Sequence, residues 1–144
     1  YDFYSAAADL SHFKQGWGRP SARVALERAP RSLIVDETLP LEVGESVEFA
    51  LTVDPGESLL KATMVYPDPP GTTAANLHRI NDLDLRLISP SGTLYYGNEG
   101  LRLRPTSSPG GFPNTKDTVE NVIVADPEPV AAFGWGCDAQ GMAG

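Results

Sequence analysis

The segment over residues 80–98, INDLDLRLISPSGTLYYGN, constrains the fold more than any other part of the chain. Three leucines, Leu83, Leu85 and Leu87, alternate with charged residues, which is the period of two shown by a strand with one buried face. The Pro-Ser-Gly triplet that follows has the composition of a tight turn, and Leu-Tyr-Tyr then resumes an extended pattern. The segment therefore predicts a β-hairpin whose leucines point into a core.

Short β-type runs, separated by turn-forming Pro and Gly residues, occupy much of the remaining chain. Turns recur about every 8–12 residues, a spacing typical of antiparallel sandwiches and barrels. The predicted strands cover residues 33–35, 47–53, 61–66 and 119–124. We expect Val65 and Val122 to share one core with the three leucines, because each lies at the inward phase of its strand.

Three segments depart from this β pattern. Ser21, after Pro20, predicts the N-cap of a short helix over residues 22–28. Residues 101–116 are rich in Pro, Gly, Ser and Asn, which predicts an irregular loop. Residues 131–144 show neither helical nor strand period, and their glycines and alanines are poor strand formers. The pattern leaves the structure of this tail open.

Composition argues against two classes of partner. The formal net charge of −8 opposes binding to nucleic acid, whose affinity comes from clustered Lys and Arg. No run approaches the roughly 20 apolar residues that span a bilayer, so membrane insertion is not expected. With 144 residues, 41% of them hydrophobic, the chain is long enough for one domain with its own core. Its single cysteine, Cys137, has no partner for an internal disulfide.

Catalytic motifs are absent from the sequence. His12 and His78 are the only histidines, and neither lies in a recognisable nucleophile or metal motif. The sequence contains no G-x-S-x-G elbow, Walker loop or H-E-x-x-H string. We therefore expect no catalytic and no organic-cofactor residues in this chain.

Acidic side chains are concentrated at the predicted hairpin, where Asp82 and Asp84 alternate with the leucines. Further acidic and amide groups in the same region are Asp68, Asn81, Glu99, Asp117 and Glu120. Two interpretations stay open. The alternation is most simply a solvated strand face, and we favour a solvated face or turn hydrogen bonding for these residues. The second interpretation is a Ca²⁺ site, because Ca²⁺ takes roughly six to eight oxygen ligands; Asp82 and Asp84 are then the candidate ligands, although the spacing matches no EF-hand.

Three strings, NDLDLRL, SPSGTLYYGN and VENV, resemble the domain that follows the catalytic domain in one branch of the subtilisin-like serine proteases. That domain is a β-sandwich similar in shape to the P domain of the proprotein convertases. GWGRPSARVALERA, residues 16–29, resembles the end of a subtilase catalytic domain. The resemblance implies an all-β fold, an antiparallel jelly-roll-like β-sandwich with a short helical N-terminal lead. Residues 1–30 would be the end of the catalytic domain and a linker helix, residues 31–130 the sandwich, and residues 131–144 an atypical tail.

The function implied by this resemblance is that of a non-catalytic C-terminal accessory domain of a subtilisin-like serine endopeptidase. Such a domain stabilises the catalytic domain of the same polypeptide and limits substrate access, while the Ser-His-Asp triad lies upstream. The resemblance also implies an extracellular location and a role for calcium. A function of another class stays open, a free-standing β-sandwich module that binds carbohydrate or protein. Its available aromatics would be Tyr95, Tyr96, Phe112 and Trp135.

The tail departs from the family pattern. Family members continue after the VENV strand with a final strand of the Gly-x-Tyr-x-Val kind, whereas residues 131–144 read AAFGWGCDAQGMAG. Either the sheet closes differently, or the tail is the translation of a shifted reading frame, which we slightly favour. A missing final strand would leave an unpaired edge, which folded proteins normally avoid.

Overall fold

The computed structural model describes residues 16–17, 19–38, 40–74, 79–129 and 133–140, the last range as backbone alone. These residues form mostly strands with one short α-helix, as the all-β prediction requires at the level of fold class. The elements are α1 (Ala22–Arg28), a 3-10 turn (Ala29–Arg31), β1 (Ser46–Leu51), β2 (Leu59–Val65), β3 (Asp82–Ile88), β4 (Leu94–Tyr96), β5 (Val119–Ala125) and β6 (Phe133–Gln140). His12 and His78 lie outside the described residues. In the described part, no helix is long and apolar enough to cross a bilayer.

The strands form two small antiparallel sheets. One has four strands in the order β1-β6-β3-β4, and the other pairs β2 with β5. The β2–β5 pairing runs over the full length of both strands, from Leu59 opposite Ala125 to Val65 opposite Val119. Contacts between β3 and β5 bring the two sheets together.

The helix prediction is confirmed at both ends. Helix α1 covers residues 22–28, and the Ser21 side chain accepts a hydrogen bond from the Val24 backbone N–H at 3.4 Å, as an N-cap does. None of the helix side chains is buried. The helix therefore lies on the surface of the described domain.

The predicted hairpin is confirmed as β3 and β4. At the turn, the Ser89 N–H donates to the Thr93 carbonyl at 2.8 Å, and the Gly92 N–H donates to the Ser89 carbonyl at 2.8 Å. Gly92 has a φ of 85°, a left-handed conformation that glycine adopts without steric cost. The loop over residues 101–116 is irregular, as predicted, apart from one bridge between Tyr95 and Gly110.

The hydrophobic core contains most of the residues predicted for it. Leu85, Leu87 and Val122 are fully buried, and Leu83 packs against them while partly buried. The prediction for Val65 is wrong, because its side chain is 67% exposed. The neighbouring Met64 points into the core instead, so the prediction had the phase of β2 shifted by one residue.

A second correction concerns residues 33–35, which were predicted to form a strand. No regular structure is present there, and the side chains of Leu33 and Ile34 are 59% and 84% exposed. A short apolar run forms a strand only where a neighbouring strand supplies hydrogen bonds, and the described residues supply none at this point.

The tail, whose structure the sequence left open, supplies a strand. Residues 133–140 form β6, which lies between β1 and β3 and pairs with both over almost its whole length. The glycines and alanines of this range, which are poor strand formers, therefore do not prevent a strand here. Backbone hydrogen bonds from two neighbouring strands hold a segment extended whatever its own propensity, and Gly134 and Gly136 tolerate this position.

Candidate functional site

Charged side chains are buried where β3 of one sheet contacts β5 of the other. The charged cluster is defined here as Arg79, Asp82, Asp84 and Glu120. Glu120 is 0% exposed, Asp84 3% and Arg79 5%, and the Asp82 side chain is 12% exposed. Charged groups are rarely buried to this extent unless they are paired, so the cluster is the most unusual chemical feature of the described residues.

Arg79 provides the positive charge of the cluster. Its Nη2 lies 2.6 Å from Asp82 Oδ1 in a buried ion pair, and its Nη1 donates to the carbonyl of Asn114 at 3.3 Å. Arg79 immediately precedes the β3 region, and Asn114 belongs to the long irregular loop. The guanidinium therefore ties that loop to the start of β3.

Glu120 links the two sheets directly. It belongs to β5, and its Oε2 accepts a hydrogen bond from the backbone N–H of Leu85 in β3 at 2.8 Å. A side-chain Cβ at position 97 would overlap Glu120 Oε2, so Gly97 leaves the space that the carboxyl occupies. The close packing and the hydrogen bond together fix the position of the carboxyl.

Asparagines hold the other edge of β5. Asn98 has a φ of 62°, and its backbone N–H donates to the carbonyl of Asn121 at 2.8 Å. The Asn98 Oδ1 accepts from the Asn121 N–H at 2.9 Å, and its Nδ2 donates to the Val119 carbonyl at 2.9 Å. Asn98 thus pairs with the backbone of β5 as a residue of a neighbouring strand would. This role is structural and involves no reactive group.

The electrostatics of the cluster follow from its composition. Burial raises the pKa of Glu120 to about 8, and the nearby negative charges of Asp84 and Asp82 act in the same direction. The Leu85 N–H and the Arg79 guanidinium lower the pKa but do not offset burial. At neutral pH the Glu120 carboxyl is therefore mostly protonated.

The structure places Asp82 and Asp84 inside the protein. The solvated face that we favoured for them is wrong, because Asp84 is 3% exposed and the Asp82 side chain 12%. The residues do not fit a calcium ion at Asp82, because the Arg79 guanidinium already lies 2.6 Å from its Oδ1. Among the described residues, no group of three or more His, Cys, Asp or Glu side chains is arranged to hold a metal. The Arg79 guanidinium therefore occupies the position beside Asp82 that a metal cation would need.

The remaining acidic and aromatic candidates are dispersed. Asp68 accepts hydrogen bonds from the backbone N–H groups of Ile80 and Asn81 at 2.6 and 2.9 Å, which fixes the entry to β3. It borders an open cleft of about 410 Å³. Tyr95 packs against the core and Tyr96 is half-buried, so Phe112, 83% exposed, is the exposed aromatic among the described side chains.

Five of the ten exposed large apolar side chains among the described residues lie in the N-terminal segment, defined here as residues 19–45. They are Val24 (37% exposed), Leu26 (76%), Leu33 (59%), Ile34 (84%) and Val43 (74%). An ion pair ties this segment to the connection between β1 and β2, with Arg31 Nη1 2.7 Å from Glu57 Oε1. Just before the segment, the centre of the Trp17 ring lies 6.0 Å from Lys61 Nζ of β2.

Sequence reasoning found two of the four cluster residues as candidate ligands and missed the role of the other two. Glu120 has a local signal, since it interrupts the apolar run of β5, and apolar residues flank the Glu-Asn pair. Arg79 has none, because its partner Asp82 and its acceptor Asn114 are recognisable only in the folded chain.

Comparison with protein-family models gives no match for this chain, and comparison with curated proteins gives none either. The functional conclusion therefore depends on the residues, their geometry and the resemblance described above.

Proposed function

We propose that this chain is a non-catalytic accessory domain of a subtilisin-like serine endopeptidase, a jelly-roll-like β-sandwich that docks on the catalytic domain through its N-terminal segment. The observation that carries the proposal is α1, a helix of seven residues with no buried side chain. Helices this short are not stable in isolation and normally depend on the packing of an apolar face. Val24 and Leu26 are apolar but lack that cover within the described domain.

The same segment continues to expose apolar residues beyond the helix. Leu33, Ile34 and Val43 are each more than half exposed, and apolar surface of this kind marks sites of protein contact. In the proposal, the occupant is the subtilase catalytic domain of the same polypeptide. This choice is supported by the resemblance of residues 16–29 to the end of that catalytic domain.

The two antiparallel sheets support the sandwich part of the proposal. Leu85 and Leu87 from the four-stranded sheet pack with Met64 and Val122 from the two-stranded sheet in one core. A core shared by the inner faces of two sheets is the defining feature of a β-sandwich. The jelly-roll connection itself belongs to the proposal.

In the proposed mechanism the accessory domain acts by contact alone. Binding to the folded catalytic domain stabilises it, because any group that binds only the native state shifts the unfolding equilibrium. The domain would also limit which substrates reach the active-site cleft. Peptide hydrolysis by Ser-His-Asp acyl transfer, and an extracellular location, belong to the parent enzyme in this proposal.

The test compares variants of the full-length enzyme. Leu26→Asp and Ile34→Asp place a charge in the proposed contact, and Leu103→Asp is the matched control, since Leu103 is equally exposed in the distant loop. We expect the first two to lower the melting temperature of the catalytic domain by several degrees, with kcat/KM for a small peptide unchanged. Equal melting temperatures for all three variants would overturn the docking proposal.

The coding sequence upstream of Tyr1 gives a second and simpler test. A subtilase domain with its Asp, His and Ser motifs is expected there. An unrelated domain would favour a binding module for carbohydrate or protein, for which the exposed Phe112 and Leu103 of the long loop are the supporting observation. Glycan-array binding that is lost in Phe112→Ala would then identify the ligand class.

A further inference from the structure

The backbone of β3 has an unusual partner beside Leu85. The last residue pair between β3 and β4 is Arg86 opposite Tyr96, which places Leu85 opposite Gly97. The Leu85 carbonyl accepts the Gly97 N–H at 2.8 Å, as in a regular antiparallel ladder. The Leu85 N–H, however, donates to Glu120 Oε2 and not to the carbonyl of Gly97. The Glu120 carboxyl therefore replaces a backbone acceptor at the end of the β4 ladder.

The replacement depends on the path of the chain after β4. Asn98 has a left-handed φ of 62°, and its N–H is directed to the carbonyl of Asn121. The chain thus leaves β3 after Gly97 and joins β5. The carboxyl of Glu120 enters the space that the departing chain leaves, where Gly97 provides room.

The charged groups that act on Glu120 all belong to β3 or to the residues just before it. Asp82 and Asp84 of β3 and Arg79 before β3 act on its carboxyl. Met64 of β2, which lies opposite Glu120 in the ladder, carries no charge, and neither does Gly97. The Asp84 and Asp82 carboxyls raise the pKa of Glu120, whereas the Arg79 guanidinium, which pairs with Asp82 at 2.6 Å, lowers it.

Burial and the neighbouring negative charges favour the neutral form of the Glu120 carboxyl. Buried like charges cannot all stay ionised at low dielectric, so one carboxyl of such a group keeps its proton. Glu120 is the most buried of the three, at 0% exposed. Its neutral form still accepts the Leu85 hydrogen bond through Oε2.

We infer that Glu120 forms a proton-dependent contact between the two sheets, in which the neutral carboxyl completes the β3 ladder and its ionisation weakens the attachment of β5 to β3. This inference does not depend on the proposed protease function. It assigns to the fold a built-in sensitivity to alkaline pH.

The direction of the pH effect follows from linkage. The pKa of Glu120 is about 8 in the folded state and near the ordinary value of 4.5 in the unfolded chain, so the folded state binds more protons between these values. The contribution to stability is therefore fully present below about pH 4.5 and is lost as the pH rises to about 8. Across that window the folding equilibrium constant falls by up to about tenfold per pH unit.

The test uses urea unfolding of the chain between pH 5 and pH 9, with Glu120→Gln as the main variant. Glutamine keeps the acceptor for the Leu85 N–H but cannot ionise, so the loss of stability with rising pH is expected to disappear. Glu37→Gln, at an exposed position, is the matched control and should follow the wild type. A Glu120→Gln variant that loses stability in parallel with the wild type would overturn the inference.

A second measurement covers the case in which Glu120→Gln does not fold. In the wild type, the amide resonance of Leu85 is expected to shift with a midpoint near pH 8, because its hydrogen-bond partner ionises there. Asp84→Asn removes a neighbouring negative charge and should move that midpoint to lower pH. An amide that does not titrate between pH 6 and pH 9, or a midpoint that Asp84→Asn leaves unchanged, would refute the proton-dependent contact.

Discussion

Replacing Arg79 by methionine tests the central claim about the charged cluster. The guanidinium and the Asp82 carboxyl lie 2.6 Å apart, with side chains only 3% and 12% exposed. Breaking a buried pair by removing one partner leaves an uncompensated buried charge, which typically costs ~3–5 kcal/mol. We therefore expect Arg79→Met to lower the free energy of unfolding by about 4 kcal/mol, of which loss of the Asn114 contact is a smaller part.

A second variant removes the Asp82 carboxylate, which Arg79→Met leaves buried without its partner. Asp82→Leu in the Arg79→Met background eliminates both members of the pair, and replacing both by apolar groups is often nearly neutral. The double variant should therefore be more stable than Arg79→Met alone. Urea unfolding at pH 7 measures all four members of the cycle, and the expected coupling energy is ~1.5–3 kcal/mol.

Two results would contradict this account of the cluster. One is a loss below about 1 kcal/mol for Arg79→Met, which is the range of a solvent-screened surface pair. The other is a double variant whose loss equals the sum of the two single losses, which would show that the side chains act independently.

Three further predictions concern the core, the space that the Glu120 carboxyl occupies beside Gly97, and calcium binding. Leu85→Ala should cost ~2–5 kcal/mol in urea unfolding, while Val65→Ala, at a mostly exposed position, should stay within about 0.5 kcal/mol; similar losses would place both side chains in one environment. Gly97→Ala should cost ~1–3 kcal/mol, because its Cβ overlaps the Glu120 carboxyl, and a neutral effect in the same assay would show that this space is free. The melting temperature should not differ between chelator and millimolar Ca²⁺, since Arg79 occupies the neighbourhood of Asp82; a rise with Ca²⁺ would instead support the calcium site at Asp82 and Asp84.

Features with local causes were predictable from the sequence. The Ser21 cap and the turn around Gly92 depend on a few consecutive residues, and both have the predicted form. The inward leucines of β3 also follow from a local period of two. The side of β2 that faces the core could not be predicted in this way, because Met64 and Val65 are both apolar. Only packing in the folded protein decides which of the two side chains is buried.

The candidate site was less predictable because its causes are distant in sequence. Asp84 is 3% exposed although it alternates with leucines that point into the core, so the pattern suggested solvent where the folded protein has none. The pairing of Arg79 with Asp82 is close in sequence, but its significance depends on burial that the sequence does not encode locally.

The middle position of β6 has a consequence for how the protein is made. Among the described strands, β1 pairs with β6 alone, and Ser46 pairs with Asp138, about 90 residues later. At the usual speed of roughly 5–20 residues per second, a ribosome takes about 5–20 s to synthesise the intervening chain. During that interval β1 has no hydrogen-bonding partner in this sheet, and the edge of β3 that later binds β6 is open. The nascent chain therefore keeps these strand edges unpaired until β6 emerges, and chaperones that bind extended segments would act at this stage.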